Sequence, residues 1–164
     1  MLTTRQISLR PDAELLVWCA RTLVTDELRA RIRQRVHAPL DWAVILDLAW
    51  YHGVGPLLHR NLSSFCSDLV PAEILTQLYR RMQAGALLNR VLVHELVVLC
   101  EALEAHGVPV MPIKGATLAA AIYDDPALRE FRDLDLIVPE GSISETQAVL
   151  LALGYERLGC SSDS

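Results

Sequence analysis

Two aspartates, Asp133 and Asp135, stand one residue apart at the head of the apolar run Asp133-Leu134-Asp135-Leu136-Ile137-Val138. In a strand, alternate side chains share one face, so the pair would project together, roughly 6–7 Å apart along the backbone. Carboxylates held that close repel each other unless a cation lies between them. Hard, oxygen-seeking Mg²⁺ suits such a pair, and two such ions would sit about 3.5–4 Å apart. The alternative is a solvated strand end with acidic punctuation.

A second element lies upstream, in Ile113-Lys114-Gly115-Ala116-Thr117, which reads as a strand-to-helix turn. Glycine there lets backbone N–H groups come close to a ligand. The helix N-terminus adds free donors and a partial positive charge suited to phosphate. Lys114 is the single lysine of a chain that otherwise uses 14 arginines, which hints at a positional requirement. The turn is not a Walker A loop, whose G-x-x-x-x-G-K spacing is absent. Read blandly, it is an ordinary tight turn. Between the two elements runs Asp124-Asp125-Pro126-Ala127-Leu128-Arg129-Glu130-Phe131-Arg132. Arg129 and Arg132 would either pair with neighbouring acids or clamp a phosphate tail.

The elements that must position these residues follow from periodicity and turn signals. Residues 108–113 form a short β-prone segment, 116–123 a strong helix former, and 134–138 a second strand. A helix over 142–153 ends at Gly154, and 155–158 begins a third strand. The C-terminal third is thus predicted as β-α-β-α-β. Before it the chain reads as helices over 11–23, 25–37, 42–51 and 56–62, with Ser63, Ser64, Ser67 and Asp68 marking a loop. An apolar stripe then continues from Pro71 to His106-Gly107, on the order of 50 Å of helix at 1.5 Å per residue, with Gly85 as its weak point. The expected fold class is α+β: a helical bundle over 1–106, then a small mixed-sheet α/β core over 107–164.

Composition narrows the function classes. The chain has 164 residues, 52% hydrophobic and 21% charged, so it can bury a core and is not disordered. The net charge of -5 is uneven: residues 1–82 carry 10 basic and 8 acidic side chains, residues 83–164 carry 5 and 12. That acidic balance argues against bulk binding to a nucleic-acid backbone and leaves room for a cation. Cys19, Cys66, Cys100 and Cys160 are widely spaced and read as free thiols in a reducing compartment. With no membrane-length apolar run and no signal peptide pattern, a cytoplasmic protein without a membrane partner is expected. The five histidines form no H-x-x-x-H pair for zinc. The alternating Arg29, Arg31, Arg33 and Arg35 read as a solvated helix.

Taken together, Lys114-Gly115, Leu118, Tyr123, Pro126, Arg129 and Asp133-x-Asp135 followed by Leu-Ile-Val resemble the core of the uncharacterised nucleotidyltransferases of the DNA polymerase β superfamily. The Glu-Ala-His-Gly-Val-Pro-Val segment before the lysine is similar to that group. So is the Trp, His-Gly-Val and Pro-Leu-Leu pattern of residues 42–58, and the resemblance spans most of residues 40–158.

The resemblance implies a minimal nucleotidyltransferase core. Gly115 would cradle the triphosphate of an NTP substrate, and Asp133 and Asp135 would hold Mg²⁺ and carry the catalysis. Lys114, Thr117, Arg129 and Arg132 would be further phosphate contacts. The reaction would move a nucleoside monophosphate to an acceptor (small molecule, protein or RNA) and release pyrophosphate.

Two departures stand out. Ala116 follows the glycine where the family usually has serine or glycine. The family's third carboxylate lies on a later strand, and relative to that pattern this sequence looks truncated; Glu156 and Asp163 are unsupported replacements. Two other readings therefore stay open: a catalytically silent nucleotide-binding fragment, and a helical interaction module without catalysis. Open strand edges would favour self-association.

Overall fold

The computed structural model describes residues 9–123 and 125–158. Seven α-helices and one two-stranded sheet make up these residues, an α+β fold that is mostly helical. The helices α1 (Pro11–Cys19), α2 (Asp26–Val36), α3 (Trp42–Tyr51) and α4 (Gly55–Phe65) come first. Then follow α5 (Ala72–Ala105), β1 (Met111–Ile113), α6 (Gly115–Ile122), β2 (Asp135–Ile137) and α7 (Ile143–Ala152). Short 3-10 turns at Pro126–Leu128 and Glu140–Ser142 flank β2.

Local signals explain most of the bundle. Thr25 caps α2 by accepting from the Leu28 N–H at 3.3 Å, and Asp41 caps α3 by accepting from the Val44 N–H at 3.2 Å. The apolar faces of α1 to α4 and the start of α5 close on one core that includes Leu15, Ile32, Ile45, Leu58 and Leu78, all fully buried. Gly55 is obligatory in it, because a Cβ there would lie 1.9 Å from the Trp50 ring. The arginines of α2 are not simply solvated. Arg33 makes a two-pronged ion pair with Asp68 at 2.8 and 2.7 Å, Arg31 lies 4.4 Å over the Trp18 ring, and Arg35 pairs with Glu14. They clasp α2 to its neighbours.

Two helix ends differ from the sequence expectation. Helix α1 stops at Cys19 rather than near residue 23, because the buried amide of Asn61 donates to the carbonyls of Cys19 (2.7 Å) and Arg21 (2.9 Å). Those carbonyls are drawn sideways to α4. Conversely α4 runs through Ser63 and Ser64. Their hydroxyls donate back to the carbonyls of His59 (2.7 Å) and Arg60 (2.6 Å), which lets serine persist inside a helix.

Helix α5 is unbroken over 34 residues. Gly85 does not interrupt it; the Glu130 side chain packs over the glycine, whose Cβ position lies 3.4 Å from Glu130 Cγ. The helix closes in a Schellman cap. Gly107, at φ +72°, donates to Glu104 at 2.9 Å, and Val108 donates to Leu103 at 3.0 Å. Val108 is thereby spent on the cap, so β1 begins only at Met111 and not at residue 108. Leu103, Val108 and Val149 form a second, smaller core with Leu136 and Val138 against it, which seats the sheet on α5 and α7.

The sheet itself corrects the expected β-α-β-α-β core. It is antiparallel, not mixed, with register Met111↔Ile137, Pro112↔Leu136 and Ile113↔Asp135. No third strand forms over 155–158 among the described residues. The Tyr155 N–H is taken by the Leu150 carbonyl at 3.0 Å in a second Schellman cap, with Gly154 at φ +92°. The Tyr155 hydroxyl donates to Glu95 on α5. Burial, then that bond, pushes the phenol up to about 12. The Tyr155 N–H, which a strand ladder would need, is thus engaged in the cap. No described helix is long and apolar enough to cross a membrane.

Candidate functional site

Lys114 joins β1 to α6 in a backbone conformation that L-residues rarely adopt, at φ 53° and ψ −140°. It is the one non-glycine residue with positive φ among the described residues. Such a conformation costs on the order of 1–3 kcal/mol and persists only where the surroundings demand it. Here they do. The chain passes from β1, ending at Ile113, into α6, starting at Gly115, through this single residue, and Gly115 is itself buried at φ +23°. A Cβ on Gly115 would sit 3.4 Å from the Asp133 carbonyl oxygen and 3.5 Å from the Phe131 ring. The glycine therefore lets the segment leading into β2 lie directly on the turn.

The strand pairing brings charge to the same place. Ile113 and Asp135 are register partners, and the next residue, Lys114, reaches across so that its Nζ lies 3.2 Å from Asp135 Oδ2. The lysine side chain is 66% exposed and the aspartate 34%, so both remain reachable from solvent. Asp133 is exposed and precedes β2, which starts at Asp135. The strand-alternation argument thus covers Asp135, while Asp133 sits in the lead-in segment that packs on Gly115.

Helix α6 opens at Gly115 with no side-chain cap, and its first internal bond runs from the Leu118 N–H to the Lys114 carbonyl at 2.8 Å. The N–H groups of Gly115, Ala116 and Thr117 come before that bond and are, among the described residues, the free donors of this helix end. An ammonium, a run of uncapped N–H groups, the Asp135 carboxylate and the backbone of Asp133 therefore lie around one turn. Chemically the cationic half suits an anion, and the carboxylate half suits a hard cation. Among the described residues no group of three or more His, Cys, Asp or Glu converges. Two carboxylates fit an ion that completes its shell with water and substrate oxygens, as Mg²⁺ does, rather than one needing an all-protein cage.

The remaining candidates are placed differently. Thr117 is exposed and lines a cavity of about 580 Å³ between α5 and α6, together with Asp125. Arg129 is half-buried; its carbonyl accepts from the Asn89 amide of α5 at 2.8 Å, and its Nε is buried without a partner among the described residues. Arg132 is exposed and borders shallow depressions shared with Arg81 and Gly85 and with Tyr51 and Gly53. Asp124 and Asp163 lie outside the described residues.

Sequence reasoning missed Asn89 and Phe131. Asn89 is 6% exposed and ties α5 to the 129–132 segment, while Phe131 is 6% exposed and walls both the Gly115 turn and the cavity. The signal for Asn89 was a polar residue on the buried face of an apolar stripe. Phe131 offered none beyond being an aromatic in a charged stretch.

Residues 38–163 match a family model described as uncharacterised nucleotidyltransferase. No curated protein and no solved structure is significantly similar to the chain.

Proposed function

Because the chain belongs to the uncharacterised nucleotidyltransferase family, we propose that it is a metal-dependent nucleotidyltransferase, built on the polymerase β superfamily plan, that moves a nucleoside monophosphate from an NTP to an acceptor hydroxyl. The observation that carries this reading is the strained Lys114-Gly115 turn laid against Asp133 and Asp135. Strain held at a turn that also gathers opposite charges is typical of a binding site rather than of a mere connection.

The roles follow from position. The N–H groups opening α6 hold the β- and γ-phosphates, aided by the helix dipole. Lys114 exchanges its contact with Asp135 for a phosphate oxygen, which frees that carboxylate. Asp133 and Asp135 hold Mg²⁺, which when bound neutralises charge on the triphosphate and on the displaced group. The acceptor oxygen forms a bond to the α-phosphorus, and the bond from that phosphorus to the bridging oxygen breaks. The electron pair leaves on pyrophosphate, and the hydroxyl proton passes to water. Arg129 and Arg132 flank the lead-in to Asp133 and are secondary phosphate contacts in this reading.

Calorimetric titration with ATP, GTP, CTP and UTP, with and without Mg²⁺, tests it. Metal-dependent binding of at least one nucleotide, lost in Asp133→Ala/Asp135→Ala, is expected. Absence of any metal-dependent binding by the parent chain contradicts the reading. Binding without pyrophosphate release across a range of acceptors would replace it with a silent nucleotide-binding role.

A further inference from the structure

The cavity between α5 and α6 is built, not left over. Its volume of about 580 Å³ falls within the roughly 300–1,000 Å³ of small-molecule sites. It exists because α6 and its surroundings present alanine where larger side chains would fill the gap: Ala86 on α5, Ala116, Ala119 and Ala120 on α6, and Ala127 on the 3-10 turn. Phe131, buried at 6% exposure, supplies a rigid aromatic wall. The same ring lies 3.5 Å from the Cβ position of Gly115, so the cavity and the phosphate-binding turn share a wall.

The polar groups are few and held in place. Asn89, 6% exposed, is anchored by its 2.8 Å bond to the Arg129 carbonyl. Asp125 is fixed by the Ala127 N–H, which donates to its Oδ1 at 2.9 Å. Arg90 and Asp125 lie exposed in the lining with opposite charges, and the Thr117 hydroxyl belongs to the residue two positions after Gly115. An apolar interior with a charge-balanced polar edge suits a compact neutral body bearing hydroxyl groups. Among the described residues it offers no basic surface for a polynucleotide.

We propose that this cavity binds a small organic molecule with an apolar body and a hydroxyl-bearing edge, and that this molecule is the acceptor. The word acceptor rests on the transferase reading above; the site itself does not. Bound there, the ligand's hydroxyl oxygen faces the end of α6 at which the triphosphate is held. It takes the nucleoside monophosphate as pyrophosphate leaves, and its proton passes to water. The acceptor class is thereby a small molecule, not RNA or a protein.

β-Naphthol, an apolar ring with one hydroxyl, serves as the probe, its binding followed by saturation-transfer NMR on the whole chain without nucleotide. Ala120→Leu and Ala86→Leu fill the cavity from different helices, and Ala148→Leu adds the same side chain on the exposed face of α7. Saturable binding by the parent is expected, weakened about tenfold or more in each filled variant and unchanged in Ala148→Leu. Binding that is absent, or equal in parent and filled variants, overturns the inference. Titration of the same proteins with Mg²⁺ and each of ATP, GTP, CTP and UTP separates the two readings. Nucleotide uptake with cavity-independent naphthol binding overturns the cavity alone. Cavity-dependent naphthol binding with no uptake of any of the four NTPs overturns the transferase reading and the acceptor role with it.

Discussion

Lys114 Nζ lies 3.2 Å from Asp135 Oδ2, across a strand pair whose register places Ile113, the neighbour of the lysine, opposite that same aspartate. The pair is too exposed to matter much for stability, since ion pairs of this kind contribute about 0–1 kcal/mol. Its consequence is positional. The one lysine of the chain is held in a strained backbone conformation beside a carboxylate, where an incoming phosphate and its metal would separate the two charges.

Lys114→Gly separates strain from function. Glycine adopts φ 53° freely, so relief of roughly 1–3 kcal/mol of strain outweighs the roughly 0.5–1 kcal/mol of added unfolded-state entropy. Urea denaturation is expected to show a protein about 1 kcal/mol more stable, while nucleotide affinity falls about tenfold with loss of the ammonium. A variant less stable than the parent would show that the positive φ is not strained.

Gly115→Ala acts in the opposite sense. The added methyl meets the Asp133 carbonyl at 3.4 Å and the Phe131 ring at 3.5 Å from a backbone already at φ +23°. Destabilisation by about 1–2 kcal/mol is expected, together with weaker nucleotide binding because the lead-in to β2 is pushed off the turn. Unchanged thermal stability would mean that the close approach is dispensable.

The acid limb of the stability curve reports the bundle. The Arg33 guanidinium, hydrogen-bonded to Asp68, holds that carboxyl down from the ordinary 3.8 to about 2. A depressed folded pKa stabilises above the unfolded value and is lost as pH falls through the folded one. The contribution is therefore complete above about pH 4 and disappears towards about pH 2. Asp68→Asn should flatten that part of the curve, by a small amount because the pair is solvent-exposed. Equal acid slopes in parent and variant would contradict it.

Thiol labelling reads the same core. Burial pushes Cys19 up to about 12 and Cys66 up to about 11, so neither carries thiolate near neutral pH. In the native chain both are expected to react with a disulfide reagent only as fast as the bundle opens. Rapid labelling without denaturant would show that α1 and α4 separate readily.

Much of the fold is legible where a local signal decides it. Thr25 and Asp41 open α2 and α3 because their side chains accept from N–H groups three residues on, and Gly53, at φ +64°, ends α3 through backbone bonds. What is not legible depends on partners far along the chain. Asn61 ends α1 from some forty residues away. The cap over Gly154 and the reach of Tyr155 to Glu95 withdraw the expected third strand from the sheet.

At the site, the glycine turn and the acidic pair are readable as residue types. That the positive φ falls on Lys114 as well as on Gly115, and that Asp133 precedes the strand, is set by the three-dimensional structure and not by any local signal. The cavity is invisible to local reasoning, since it needs α5 packed against α6.

In the proposed function Asp133 and Asp135 hold a metal together with a nucleotide at the Gly115 turn. Electron paramagnetic resonance of Mn²⁺, substituting for Mg²⁺, measures this directly. In the presence of whichever NTP binds in calorimetry, the parent chain is expected to change the Mn²⁺–nucleotide spectrum in a saturable way that Asp133→Asn/Asp135→Asn abolishes. An identical spectrum for parent and double variant at every nucleotide concentration would contradict it.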